Sequence, residues 1–167
     1  METIILPGFS EKNKDWAEEV KKNLKGESTV ISWAHWEMGE AEKEWTTKEA
    51  QKIEENYKNK TINIIAKSMG TVVTMKVLQS KNVKVNKLIL CGIPLGDLYA
   101  EDFKYFTALK TFPVNNLLCI QNEDDNHGSF KEAKKFVQSI SSMIKMISKP
   151  AADHDYPYFE DFNNFIT

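Results

Sequence analysis

Ser68 stands in Ala66-Lys67-Ser68-Met69-Gly70, between an apolar β-branched run and a helical pattern. A hydroxyl lifted on a sharp strand-to-helix turn crowds the residues two before and two after it, so both must be very small, and Ala66 and Gly70 are. The bland reading of the same serine is a helix N-cap, whose side chain would serve the backbone rather than a substrate. A serine nucleophile also needs a base to take its proton, and the base needs an acid to orient it. Two later segments carry such groups, Gln121-Asn122-Glu123-Asp124-Asp125-Asn126-His127-Gly128 and Ala152-Asp153-His154-Asp155-Tyr156. Ser68, an acid at 124 or 125, and His154 thus follow one another in chain order, each beyond a different apolar run.

Those apolar runs define the elements that must hold the three groups. Strands are expected at Thr3–Leu6, Ser28–Trp33, Thr61–Ala66, Lys87–Cys91, Asn116–Gln121 and Lys145–Ser148. Helical spacing separates them: Trp16, Val20 and Leu24, then Ala50, Ile53 and Tyr57 behind an expected capping box of Thr46 with Glu49. Met69–Gln79 is apolar nearly all round, which suits a buried helix. Ser129 with Glu132 forms a second expected capping box, ahead of Phe130, Ala133, Phe136, Val137 and Ile140. A short helix over about 158–165 follows Pro157, a favoured first helical residue. Strands alternating with helices imply a three-layer α/β/α sandwich with about six parallel strands. Chemistry in such sheets collects in loops at the carboxyl ends of the strands, and all three candidate groups lie there.

Composition narrows the class. The 167 residues correspond to one domain spanning 1–167, at roughly 150 residues per domain. Basic and acidic residues nearly cancel at 22 against 24, and every basic residue is Lys. Without Arg there is no arginine finger and no bidentate fork for phosphate or base edges, and no basic excess marks a nucleic-acid partner. The N-terminus lacks the basic flank and apolar stretch of a signal peptide, and no run is long enough to span a membrane. A cytoplasmic location is therefore expected. Cys91 and Cys119 sit inside apolar runs and read as small buried hydrophobes rather than as a disulfide or redox pair.

The nucleophile turn, the acid-rich loop and Asp153-His154 together resemble the α/β-hydrolase superfamily. They are similar in particular to its small single-domain serine hydrolases of the retinoblastoma-binding-protein-9-like and dienelactone-hydrolase-like kinds. Leu6-Pro7-Gly8-Phe9 matches the place where those families carry His-Gly or Pro-Gly after the first core strand, and Trp16 resembles their helix tryptophan. Two positions depart from the pattern: Ala66 replaces the usual first Gly, and Asn122 stands where Gly commonly opens the acid loop. The resemblance implies Ser68 as nucleophile, His154 as base and then acid, and Asp125 as the orienting carboxylate, with Asp124 its near competitor. It also implies an oxyanion hole from the N–H groups of Met69 and Phe9, no cofactor and no metal.

The implied activity is hydrolysis of carboxylic esters or thioesters of small molecules by a monomer or weak homodimer. Larger relatives insert a cap domain and carry two strands before the first one here. Their absence from this stretch of sequence leads to the expectation of a shallow, open site. Trp33, His35 and Trp36, just beyond the second strand, are candidates to contact substrate, and residues 36–48 could form a lid. Lys67 could hold a substrate anion. His127 reads as a solvated loop residue. Two rival functions remain at this level: a metal site built from the two acidic loops, and a binding protein that keeps the fold without turnover.

Overall fold

The computed structural model describes residues Met1–Thr167. Its centre is one sheet of six parallel strands in the order β2-β1-β3-β4-β5-β6. The strands are β1 (Thr3–Leu6), β2 (Ser28–Val30), β3 (Thr61–Lys67), β4 (Lys84–Cys91), β5 (Leu117–Asn122) and β6 (Met146–Lys149). Six helices surround them: α1 (Asn13–Asn23), α2 (Ala34–Met38), α3 (Trp45–Tyr57), α4 (Met69–Ser80), α5 (Phe130–Ile140) and α6 (Phe159–Ile166). Three 3-10 turns, Leu95–Asp97, Phe103–Lys110 and Val114–Asn116, fill the excursion between β4 and β5. The expected three-layer α/β sandwich is the fold.

The strands read as continuous apolar runs because both faces of the sheet are covered. Side chains alternate between the faces with period two. Ile4, Leu6, Ile64, Ala66, Leu88, Leu90 and Cys119 pack with α3, α4 and α5. Ile5, Ile65, Ile89, Cys91 and Ile120 pack with α1 and α6 through Trp16, Ala17, Val20 and Phe162. Cys91 and Cys119 thus point to opposite faces, and both are free thiols. Burial pushes the Cys91 thiol well up and that of Cys119 up to about 12, as expected of small hydrophobes.

Several boundaries differ from the sequence expectation. Strand β2 stops at Val30 because it is an edge strand whose one partner, β1, ends at Leu6; Ile31 N–H still donates to Ile5 O at 3.0 Å. Trp33 instead begins the short helix α2 as its N-cap. Strand β4 starts three residues earlier than expected, at Lys84, pairing with Thr61 of β3. The capping box at Ser129 and Glu132 forms with both reciprocal bonds. The one expected at Thr46 and Glu49 does not, because helix α3 starts at Trp45 without a side-chain cap. Its Glu49 carboxylate is committed elsewhere, accepting from Ala34 N–H at 3.0 Å and from Lys52 Nζ at 3.0 Å.

The strand order reverses between β1 and β3, so the loops after these two strands open a crevice at their carboxyl ends. There α4 approaches β1 so closely that a Cβ on Gly70 would lie 2.3 Å from Leu6 O and 2.7 Å from Pro7 O. Both obstacles are backbone atoms, which cannot swing aside. Gly70→Ala is therefore expected to lower stability by about 1–3 kcal/mol as an overpacked site. In a thermal melt that corresponds to about 2–4 °C per kcal/mol for a chain of this size; an unchanged Tm would contradict the close approach.

Candidate active site

Ser68 links β3 to α4 with φ 54° and ψ −128°. A non-glycine residue in such a conformation carries strain of about 1–3 kcal/mol, held in place by the surrounding structure. The restraints are identifiable: Ser68 N–H donates to Cys91 O at 3.0 Å, and Ser68 O accepts from Thr71 N–H at 2.8 Å and Thr71 Oγ1 at 2.7 Å. Ser68 occupies the N-cap position of α4, yet its side chain makes no capping bond. The hydroxyl is therefore not serving the helix. The residue is 7% exposed.

His154 and Asp125 meet each other in the loops beyond β5 and β6. His154 Nδ1 lies 2.7 Å from Asp125 Oδ2. A carboxylate has no hydrogen to give, so Nδ1 carries a proton, and in the neutral ring Nε2 holds the lone pair. That Nε2 is buried and has no partner within the protein. The link back to Ser68 runs through the end of β4. A Cβ on Gly92, which has φ +58°, would lie 3.0 Å from His154 Cε1 and 2.5 Å from Tyr156 Cε2. Gly92 directly follows Cys91, the acceptor of Ser68 N–H, so the histidine ring lies over the strand end that restrains the serine.

Asp125, 3% exposed, is the acid in contact, whereas Asp124 is exposed. Its carboxylate accepts three bonds: from His154, from Tyr156 OH at 2.5 Å, and on Oδ1 from His127 N–H at 2.8 Å. Burial alone would raise its pKa, but the bonds from His154, Tyr156 and His127 outweigh it and hold the carboxyl below its ordinary value. Tyr156 is raised in turn, by burial first and then by its bond to Asp125.

The residues ending β5 hold both loops in place. Asn122 Nδ2 donates to Asp153 O at 2.9 Å and Asp155 O at 2.8 Å, on either side of His154. Gln121 Nε2 donates to Gly128 O at 2.6 Å at the far end of the acid loop. Asn122, a departure from the family pattern, thus replaces backbone freedom with a side-chain anchor for the histidine loop.

The first loop is positioned by aromatic rings. Trp33 is 1% exposed and donates its Nε1–H to Gly8 O at 3.0 Å. His35 Nε2 and Trp36 Nε1 both donate to Phe9 O at 2.8 Å. Trp33 and His35 are therefore buried packing and anchoring residues; their ring N–H groups face the loop rather than open space. Phe9, 47% exposed, stacks on His35 with centroids 4.6 Å apart. Its N–H has no acceptor in the protein. Met69 is the first residue of α4, so its N–H has no carbonyl four residues back to bond.

Phe9 and Met69 border one cavity of about 630 Å³, walled by residues 41–47 on one side and by Tyr99, Asp102 and Tyr105 on the other. The cavity adjoins the candidate site through Phe9 and Met69, and neither Ser68 nor His154 lines it. Lys67 does not face this cavity. It is 5% exposed, donates to Asn13 Oδ1 at 2.9 Å, and borders a separate cleft of about 420 Å³ with Trp16, Asp155 and Phe159. Burial lowers its pKa, against the opposing pull of Asp155.

His127 is more than a solvated loop residue. Its ring packs on His154 with centroids 4.1 Å apart, and its Nδ1 is 2.5 Å from Asp97 Oδ2. The two acidic loops do meet, but through the bond between Asp125 and His154; no three His, Cys, Asp or Glu side chains converge as metal ligands. Sequence reasoning missed Tyr156, Gly92 and Asp97. Gly92 and Tyr156 flank recognisable motifs, whereas Asp97 gave no signal at all.

A parallel sheet with this strand order, a strained serine turn after β3 and an Asp–His pair beyond β5 and β6 define an α/β-hydrolase fold. The chain belongs to the serine hydrolase family, whose model matches residues 3–154. No curated protein matches it. Among solved structures it is similar to an alpha-beta serine hydrolase homologue from Coxiella burnetii, at 17% identity and TM-score 0.72, covering 99% of this chain and 83% of that one. It is also similar to mouse alpha/beta hydrolase domain-containing protein 10, at 14% identity and TM-score 0.70, covering 99% and 87%. A lidless α/β serine hydrolase from Xanthomonas campestris aligns at 14% identity and TM-score 0.59, covering 98% and 77%. No helix is long and apolar enough to cross a membrane.

Tyr156→Phe removes a donor to Asp125 and the acceptor of Asn122 N–H, which bonds the phenol oxygen at 3.0 Å. Leaving buried polar groups unpaired costs about 1–3 kcal/mol each. Asp125 has a depressed pKa in the folded state, so its ionised form contributes stability that is present above about pH 4 and lost as pH falls through the folded value. The variant brings that folded pKa back toward its unfolded value. Acid unfolding followed by circular dichroism should show lower stability at neutral pH and a transition moved to higher pH; an unmoved acid transition would contradict the bond's role.

Proposed function

We propose that the protein hydrolyses carboxylic esters or thioesters of small molecules through Ser68, His154 and Asp125. The observation that carries this reading is a strained Ser68 whose hydroxyl caps nothing, restrained at the strand end over which lies an imidazole held at Nδ1 by Asp125. His154 Nε2 takes the proton as Ser68 Oγ attacks the carbonyl. Asp125 keeps the imidazole in the required tautomer and stabilises the imidazolium as it forms. The N–H groups of Met69 and Phe9 receive the developing oxyanion, each such donor being worth about 10²–10³ in rate. His154 then protonates the leaving oxygen or sulfur, leaving an acyl group on Ser68. Water deprotonated by His154 completes the hydrolysis.

The absence of a bond between Ser68 and His154 within the protein is compatible with this reading. Such contacts often tighten only when substrate is bound. The cavity beside Phe9 and Met69 offers Trp45, Tyr99 and Tyr105 to an apolar part of the substrate, and it is large enough for a small molecule. Turnover by this route uses no cofactor.

A series of p-nitrophenyl esters and acyl thioesters of increasing chain length tests the reading. Ser68→Ala or His154→Ala should lower turnover by about 10⁶, by analogy with subtilisin. Asp125→Asn should lower it by about 10⁴. Ser68→Ala retaining more than a few per cent of the activity would contradict the mechanism. A folded wild-type protein inert to the whole series would favour the binding-protein reading.

A further inference from the structure

We propose that Trp33 is a positioning residue for the oxyanion site: its indole N–H, bonded to the Gly8 carbonyl, aims the Phe9 N–H. The inference rests on the proposed role of Phe9 as an oxyanion donor and deepens it. Gly8 C=O and Phe9 N–H belong to one peptide unit, which is trans. In a trans peptide the two bonds lie in one plane and point in opposite directions. Fixing the carbonyl therefore fixes the N–H.

Trp33 does this from a buried, closely packed site. It is 1% exposed, packs edge-on against Trp45 at 5.5 Å and Trp36 at 6.4 Å, and places Nε1 3.0 Å from Gly8 O. The next peptide is fixed as well, since Phe9 O accepts from His35 and Trp36 at 2.8 Å each. Ser10 O accepts from Asn13 N–H at 2.9 Å and Asn13 Nδ2 at 3.0 Å. Three successive carbonyls are thus engaged, while the Phe9 N–H between them has no acceptor in the protein. The Phe9 side chain cannot hold the loop alone, because it is 47% exposed. The indole bond has a second effect. A hydrogen bond into a peptide carbonyl polarises the unit and strengthens its N–H as a donor, in a medium where electrostatic interactions are stronger than in water.

A residue that aims an oxyanion donor acts on the transition state rather than on the bound substrate. Its loss should lower kcat and leave KM nearly unchanged. Two variants separate the bond from the ring: Trp33→Phe, and replacement of Trp33 by benzothienylalanine, which keeps the bicyclic shape and has sulfur in place of N–H. Each would be assayed for ester hydrolysis and for binding of phenylboronic acid, whose tetrahedral serine adduct places an oxygen in the oxyanion site.

In the benzothienyl variant kcat should fall about 10–100-fold, less than the loss of a donor outright. KM should stay within about twofold and boronate affinity should fall by a factor similar to that in kcat. Wild-type kcat and boronate affinity in that variant would overturn the inference. So would a loss confined to Trp33→Phe, which would assign the effect to ring shape, or a rise in KM with kcat intact. A wild-type protein without Ser68-dependent turnover would overturn the functional reading and this inference together; an active wild type with an unaffected benzothienyl variant would overturn this inference alone.

Discussion

The site depends on the contact between the first turn of α4 and the end of β1, where there is no room for a single extra carbon atom. Gly70 rests against the carbonyls of Leu6 and Pro7. Because the helix begins that close to the sheet, the turn leading into it must reverse within one residue, and Ser68 takes up the strain. Ala66 has no larger side chain to interfere, being fully buried in register with Leu6 on one side and Leu90 on the other. The same contact brings the loop after β1 next to the start of α4. Phe9 and Met69 come to border one cavity as a consequence of how the helix packs.

Around that contact, the strand ends act as a rigid frame and the side chains that end them act as fasteners. The carbonyl of Cys91 holds the Ser68 N–H, Gly92 gives the His154 and Tyr156 rings their space, and Asn122 and Gln121 hold the loops that follow. A buried carboxylate is costly unless its lone pairs are used. Asp125 meets that condition through Tyr156 OH, the His127 N–H and His154 itself. The polar network is thus arranged so that the histidine's outer nitrogen is the group left without a partner.

Much of this was legible in the residues. The parallel sheet could be read because strands covered on both faces become unbroken apolar runs, and the pairing of Asp125 with His154 because each lies beyond such a run. The edge was harder: Ile31-Ser32-Trp33 is apolar enough to extend β2, but with β1 ending at Leu6 that extension has almost nothing to pair with. Thr46 and Glu49 have the spacing of a cap, yet the carboxylate bonds the N–H of Ala34, a partner distant in sequence. Trp33, His35 and Trp36 showed themselves as important aromatic residues while concealing their role, since hydrogen bonds to Gly8 and Phe9 some 25 positions away leave no local pattern. The Asp97–His127 pair was hidden for the same reason.

In the proposed reaction Ser68 is the nucleophile and His154 makes it so. Peptide mass spectrometry after treatment with a fluorophosphonate tests this most directly, because it reports the modified atom's residue rather than a rate. The expected result is a single phosphonyl adduct on the peptide containing Ser68, strongly diminished in His154→Ala while the protein remains folded. An adduct on any other residue, or equal labelling of Ser68 without His154, would contradict it.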